Sequence, residues 1–180
     1  MPLINIIRIS ALLTLLLIGV SPLCQATTVF QMPKNFIREV FGNAEVNSGK
    51  LWIDKDLQLE IRRILGHDLG ALRIRYWSQA KRTAWILEEI GKEQPITAGI
   101  VINDSKIEQV KVLIFRETRG GEIRYPFFTD QFNGAGLDHN NNLNQHIDGI
   151  SGATLSVNAM VKLAQLALLF HQHSQALESK

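Results

Sequence analysis

The sequence predicts an α+β fold: an antiparallel sheet flanked by short N-terminal helices and a long C-terminal helix. Three observations predict it. Two stretches with apolar residues at helical spacing come first, a series of apolar runs joined by short polar connections follows, and a final apolar stretch keeps helical spacing for more than four turns.

In chain order, Phe36, Ile37, Val40 and Phe41 sit at helical spacing before Gly42. Asp54 reads as the cap of a second helix, with Leu57, Ile61, Ile64 and Leu65 on one face and Gly66 beyond its end. Leu72, Ile74 and Tyr76 then alternate with Arg73 and Arg75, the period of a strand with one buried face. Thr83 to Ile90, Pro95 to Ile102 and Lys106 to Glu117 read as further strands. Their connections, Ser78 to Lys81, Gly91 to Gln94 and Asn103 to Ser105, are too short for crossovers and favour antiparallel neighbours. The last helix carries Leu155, Ala159, Leu163, Leu166, Ala167 and Phe170 on its apolar positions.

That helix begins at Asp148-Gly149-Ile150-Ser151-Gly152-Ala153-Thr154. Thr154 falls in the first turn, where unpaired N–H groups and the positive end of the helix dipole favour a phosphate. Gly152 permits a tight turn, and Ala153 keeps the approach to the Thr154 hydroxyl open. A plainer alternative has Ser151 as an ordinary N-cap with small residues after it.

The longer pattern favours the first reading. Ser151-Gly152-Ala153-Thr154 resembles the attachment motif of proteins that carry FMN through a phosphoester to threonine. Arg116-Glu117-Thr118-Arg119-Gly120-Gly121 looks like the Glu-Thr-Pro-Gly segment of that family, and Phe128-Thr129-Asp130-Gln131-Phe132-Asn133-Gly134 is similar to its Gln-Phe-x-Gly segment. The resemblance is to the FMN-binding domain family, which includes the covalently flavinylated subunits of the Rnf and sodium-pumping quinone reductase complexes. It covers the second half of the chain. Arg119 stands where the family has proline, and no Gly-Leu-Gly follows, which leaves the shape of that loop open.

The resemblance implies that Thr154 is the point of FMN attachment and that Ser151, Gly152, Ala153, Asp148, Glu117, Thr118 and Phe132 surround the cofactor. It also implies a maturation partner, an Mg²⁺-dependent flavin transferase that uses FAD and releases AMP, and a membrane redox protein as electron donor or acceptor. Phe132 is the expected ring contact within the segment Gly120 to Asp148, which also carries Tyr125, Phe127 and Phe128.

Residues 1–26 read as a signal peptide: a single charged residue, Arg8, an apolar run from Ile9 to Val20, and the small-ended Cys24-Gln25-Ala26. The run is shorter than the roughly 20 residues that span a bilayer, and a retained anchor or a lipidated Cys24 are the alternatives. Residues 27–180 are then one FMN-binding domain in the periplasm or another extracytoplasmic space.

The sole cysteine, Cys24, lies in that segment, so the remainder has no thiol for disulfides, Fe–S clusters or haem attachment, and a redox role must rest on another cofactor. Without Arg8 the 19 basic residues become 18 against 17 acidic ones, which leaves no electrostatic footprint for nucleic acid. No nicotinamide-binding glycine fingerprint follows a strand, so an electron carrier is preferred to a self-contained oxidoreductase. The alternative function is a secreted binding module that holds flavin reversibly or not at all.

Three smaller features read as bland. Asp138-x-Asn140-x-Asn142 lacks the glycine and glutamate of a calcium loop. His171-x-His173 reads as a solvated helix end in preference to a metal pair, and Arg73, Arg75, Lys81 and Arg82 as the wet side of a strand and its turn.

Overall fold

The computed structural model describes residues 27–42 and 45–178, so the signal segment expected at 1–26 lies outside the described residues. The elements are β1 (Thr28–Val29), α1 (Pro33–Phe41), β2 (Asn47–Trp52), α2 (Lys55–Leu65), β3 (Arg73–Gln79), β4 (Arg82–Ile90), β5 (Pro95–Asn103) and β6 (Lys106–Phe115). The short helix α3 (Pro126–Thr129), with a 3-10 turn on either side, and the long helix α4 (Thr154–Glu178) complete the chain. The six strands form one antiparallel sheet in the order β1-β6-β5-β4-β3-β2, so the fold is α+β as the sequence predicts.

The helices divide between the two faces. Phe36, Val40 and Phe41 of α1 pack on Ala84, Val101 and Leu113. On the opposite face, Leu57, Ile61 and Leu65 of α2 join Leu163, Leu166 and Phe170 of α4 over Trp85, Ala98, Ile100 and Val112. Alternation along β4 to β6 sends side chains to both covered faces, which is why the central strand β5 is buried almost throughout. α4 is long and apolar enough to cross a membrane by composition alone. Here it is the central helix of the core, buried on nearly every side below its first turn.

The structure departs from the pattern reading at several points. β1 and β2 carry no apolar alternation: only Leu51 of β2 is buried, and β2 exists because it pairs with β3. Gly49 lies against the Tyr76 ring, where a Cβ would stand 2.3 Å from Cζ, so only glycine fits. Leu72, expected inside, is 80% exposed and precedes β3; its carbonyl accepts from the Ile53 N–H. The last strand ends at Phe115 instead of Glu117. Leu155, expected on the apolar face, is half exposed in the first turn of α4.

His171 is not solvated. It is buried, and its Nδ1 lies 2.8 Å from Thr83 Oγ1, which also accepts from Trp85 Nε1 at 2.9 Å. With the hydroxyl lone pair engaged by the indole, the hydroxyl proton is free to be donated to His171 Nδ1, and burial pushes the imidazole pKa down. Apolar periodicity does not register a histidine satisfied across 88 residues.

Candidate functional site

The start of α4 is built without a side-chain cap. Gly152 turns the chain in the left-handed region at φ +81°, a conformation that favours glycine, and the Ala153 N–H bonds the Ile150 carbonyl at 3.0 Å. The bond from Val157 N–H to the Ala153 carbonyl, 2.9 Å, is the first of the helix. Ala153 therefore occupies the N-cap position and Thr154 is the first helical residue. Alanine has no acceptor, so the first-turn N–H groups are left for a ligand or water. Ser151 stands two residues too early to cap the helix and is exposed in the turn. Thr154 is exposed as well.

Opposite Thr154 stands the end of β6. Glu117 Oε1 accepts three successive backbone N–H groups of the β4–β5 turn, from Lys92 at 2.5 Å, Glu93 at 2.6 Å and Gln94 at 2.9 Å. Partial burial raises the Glu117 pKa, but the bonds from Gln94, Glu93 and Lys92 outweigh it and hold the carboxyl below its ordinary value. The side chain is thus a clamp that ties one hairpin turn to the strand end. Gly91 permits the approach, since a Cβ there would lie 3.0 Å from the same oxygen.

Gly120, at φ +84°, closes the wall against the helix. A Cβ at this position would stand 2.6 Å from Ser156 Oγ and 3.4 Å from Ala153 Cβ. The loop after β6 and the first turn of α4 therefore touch directly. Between them opens a crevice of about 590 Å³, lined by Glu117, Thr118 and Arg119 on one side and Gly152, Ala153 and Thr154 on the other. Lys92 and Glu93 stand at its rim and pair with one another at 3.0 Å.

A second depression, about 620 Å³, lies beyond Thr118 and Arg119 and shares Gly152 with the first. Phe30, Phe115 and Arg124 line it. The Arg124 guanidinium lies 4.8 Å from the centroid of the Phe30 ring and 4.5 Å from that of Tyr125. The aromatic side chains thus stand at the second depression, while polar groups, Glu117, Thr118 and Arg119 among them, line both.

The sequence-predicted residues Ser151, Gly152, Ala153, Thr154, Glu117 and Thr118 meet around these two openings. Asp148 lies on the approach to the motif, exposed, with its N–H bonded to Gln131 Oε1 at 2.7 Å and its carboxylate 3.5 Å from His146. Phe132 does not join them. It is fully buried, edge-on to Phe128 at 5.5 Å within the main core, so the expectation of a flavin wall at this position gives way to a packing role. Its neighbour Gln131 is the residue that reaches the motif, holding the segment 145–148 through its side-chain and backbone oxygens. Within the Gln-Phe-x-Gly segment the polar member was the available signal, because an amide serves a loop where a phenyl ring serves a core.

Residues 91–169 match the family model of the FMN-binding domain. The match begins at the β4–β5 turn and ends within α4, and so takes in Glu117, Thr118 and the whole 151–154 motif while covering less than half of the chain. The crystal structure of NqrC from Shewanella oneidensis has the same fold, with a TM-score of 0.52 over 78% of this chain and 89% of that one, at 14% identity. No curated protein matches the chain in sequence.

The site fits the cofactor that the family description names. An uncapped helix terminus receives a phosphate through N–H groups and dipole, each such contact being worth about 0.3–1 kcal/mol when exposed. Arg119 lines both openings and is in no ion pair among the described residues, so it is free to meet an anion.

Proposed function

We propose that this protein is an exported electron carrier that holds FMN as a phosphoester on Thr154. The observation that carries the reading is the exposed Thr154 hydroxyl on the first turn of a helix whose cap is alanine, opening onto a crevice large enough for a cofactor. The FMN-binding domain match over residues 91–169 supports the cofactor's identity.

In this reading Thr154 Oγ is the acceptor in a transfer performed by a separate Mg²⁺-dependent flavin transferase. The hydroxyl gives up its proton as the oxygen bonds the riboflavin-proximal phosphorus of FAD, and AMP leaves with the other phosphate. An alcohol is a poor nucleophile without a base to take that proton. No carboxylate is hydrogen-bonded to Thr154 among the described residues, which points to a base on the transferase. Gly152 and Ala153 leave the hydroxyl reachable by a second protein.

Once attached, the flavin supplies one- and two-electron chemistry. The chain's own residues would hold it: the first-turn N–H groups and Arg119 would meet the phosphate, and Phe30, Phe115 and Arg124 would offer planar surfaces for the ring. The electrons pass to and from a membrane redox protein on the extracytoplasmic side. A covalent link suits that compartment, where dissociated FMN diffuses away.

Co-expression with a flavin transferase tests the reading. After denaturing electrophoresis, the wild-type band is expected to fluoresce and the Thr154→Ala band to be dark. A fluorescent Thr154→Ala band places the link elsewhere, and a dark wild-type band leaves reversible binding as the better description.

A further inference from the structure

The face of the sheet that carries α1 is covered over β4 to β6 and open over β2 and the start of β3. α1 packs on Ala84, Val101 and Leu113, and Trp77 of β3 borders that cluster, partly buried. Alternation puts Arg73 and Arg75 on the same face as Trp77, and the β2–β3 register sets Lys50 opposite Arg75 and Trp52 opposite Arg73. Lys50, Arg73 and Arg75 are all exposed. They form one cationic surface, with the Arg73 guanidinium 5.5 Å from the centroid of the Trp52 ring.

Two observations set this surface apart from ordinary solvated lysines and arginines. The first is that the fold leaves it without acidic partners. Arg82, Lys111 and Arg116 meet Glu108, Glu39 and Glu88, and Lys81 meets Asp104. β2 and β3 contain no acidic residue, and Lys50, Arg73 and Arg75 are in no ion pair among the described residues. Of the four basic residues that the sequence groups as one wet side, Lys81 and Arg82 are therefore matched, and Arg73 and Arg75 are not. The second observation is the register, because Lys50 stands directly opposite Arg75, and opposed like charges weaken a sheet. An anion laid over the pair removes that repulsion.

Spacing and composition select the anion. Arg73 and Arg75 lie about 7 Å apart along the strand, and each planar fork takes a carboxylate through two parallel bonds. A lipid surface suits the face less, since β2 and β3 turn one large exposed apolar side chain, Trp52, towards it. Trp52 ends β2 and Arg73 begins β3, so the surface reaches the end of the antiparallel sheet where the β4–β5 turn and the end of β6 wall the crevice. We propose that the open face of β2 and β3, through Lys50, Arg73 and Arg75, docks a carboxylate-rich surface of a partner protein. The assignment stands whether or not flavin is attached to Thr154.

Fluorescein-labelled poly-L-glutamate, titrated with the full chain at moderate ionic strength and followed by anisotropy, tests it. Lys50→Gln, Arg73→Gln and Arg75→Gln combined are expected to weaken binding at least about tenfold. Arg63→Gln, Lys81→Gln and Lys106→Gln combined remove the same charge from exposed positions elsewhere, and are expected to weaken it less than about twofold. No binding by wild type, or equal weakening in the two variants, overturns the proposal. Phosphatidylglycerol vesicles are titrated in parallel. If the β2–β3 variant loses affinity for the vesicles and not for the polymer, the surface belongs to a membrane and the proposal fails. Because its substitutions relieve repulsion, that variant is expected to melt no lower than wild type; a lower midpoint would give the three cations a structural role and counts against docking.

Discussion

One oxygen of Glu117 receives three backbone N–H groups, and the β4–β5 turn has that shape because of it. Glu117→Gln removes the charge and weakens the clamp, since bonds to an ionised acceptor are worth about 1.5–3 kcal/mol each against about 0.5–1.5 for neutral ones. Faster amide exchange at Lys92, Glu93 and Gln94 is the expected result, read by hydrogen exchange; protection equal to wild type would show that the turn holds itself. Phe132 makes the opposite kind of prediction. Phe132→Ala should cost about 3–5 kcal/mol in a urea titration, as buried aromatic truncations do, while the protein that remains folded still accepts flavin. Loss of flavin with unchanged stability would restore the ring contact that the sequence suggested. The difference between these residues explains what was legible. Thr154, Gly152 and Glu117 stand where their type and spacing put them, around the helix start and the strand end, whereas only packing reveals that Phe132 belongs to the core and Gln131 to the loop before the motif. Arg119, Arg124 and Phe30 reach the site from separate segments, and no local pattern in the sequence joins them.

Elements whose faces are amphipathic were readable, and those made by their neighbours were not. α1 and α2 follow their helical periodicity, and β4, β5 and β6 coincide with the apolar runs between short polar connections. β1 has two residues and β2 one buried side chain, so their identity as strands comes from pairing with β6 and β3. α4 was legible in extent but not in its polar anchorage. His171 holds it to β4 through Thr83, beside the stack of Tyr76, Trp85 and Phe170 with ring separations of 4.9 and 5.6 Å. Thr83→Val leaves both the Trp85 indole N–H and His171 Nδ1 without their partner. Its expected effect is a loss of about 1–3 kcal/mol in chemical denaturation, against near neutrality if water replaces the hydroxyl.

Two histidines give the whole molecule opposing responses to pH. Burial holds His171 below its ordinary 6.5, with Asp104 acting weakly the other way, so the unfolded chain binds a proton that the native state refuses. That contribution is complete above pH 6.5 and is lost as the pH falls towards the lowered native value. His67 runs the other way. Its ring nitrogens lie 3.0 Å from the Asp68 carbonyl and 3.2 Å from Glu89 Oε1; these contacts raise its pKa against burial and the nearby Lys162. Its contribution is complete below pH 6.5 and is lost as the pH rises through the raised native value. Because the His67 side chain is half exposed, solvent screening makes that limb the shallower one. Thermal midpoints are expected to peak near pH 6.5, and His67→Gln to flatten the alkaline limb while sparing the acid one. A wild-type profile that rises steadily from pH 6.5 upward would refute the His67 assignment.

At the same scale, the proposed function rests on one hydroxyl, Thr154, exposed at the start of α4 beside the crevice. Peptide mass spectrometry on protein purified from cells that contain a flavin transferase tests this most directly. The account predicts that the tryptic peptide ending at Lys162 gains the mass of FMN less one water, with fragmentation placing it on Thr154. That peptide at its unmodified mass in wild type, or the same gain in Thr154→Ala, contradicts it.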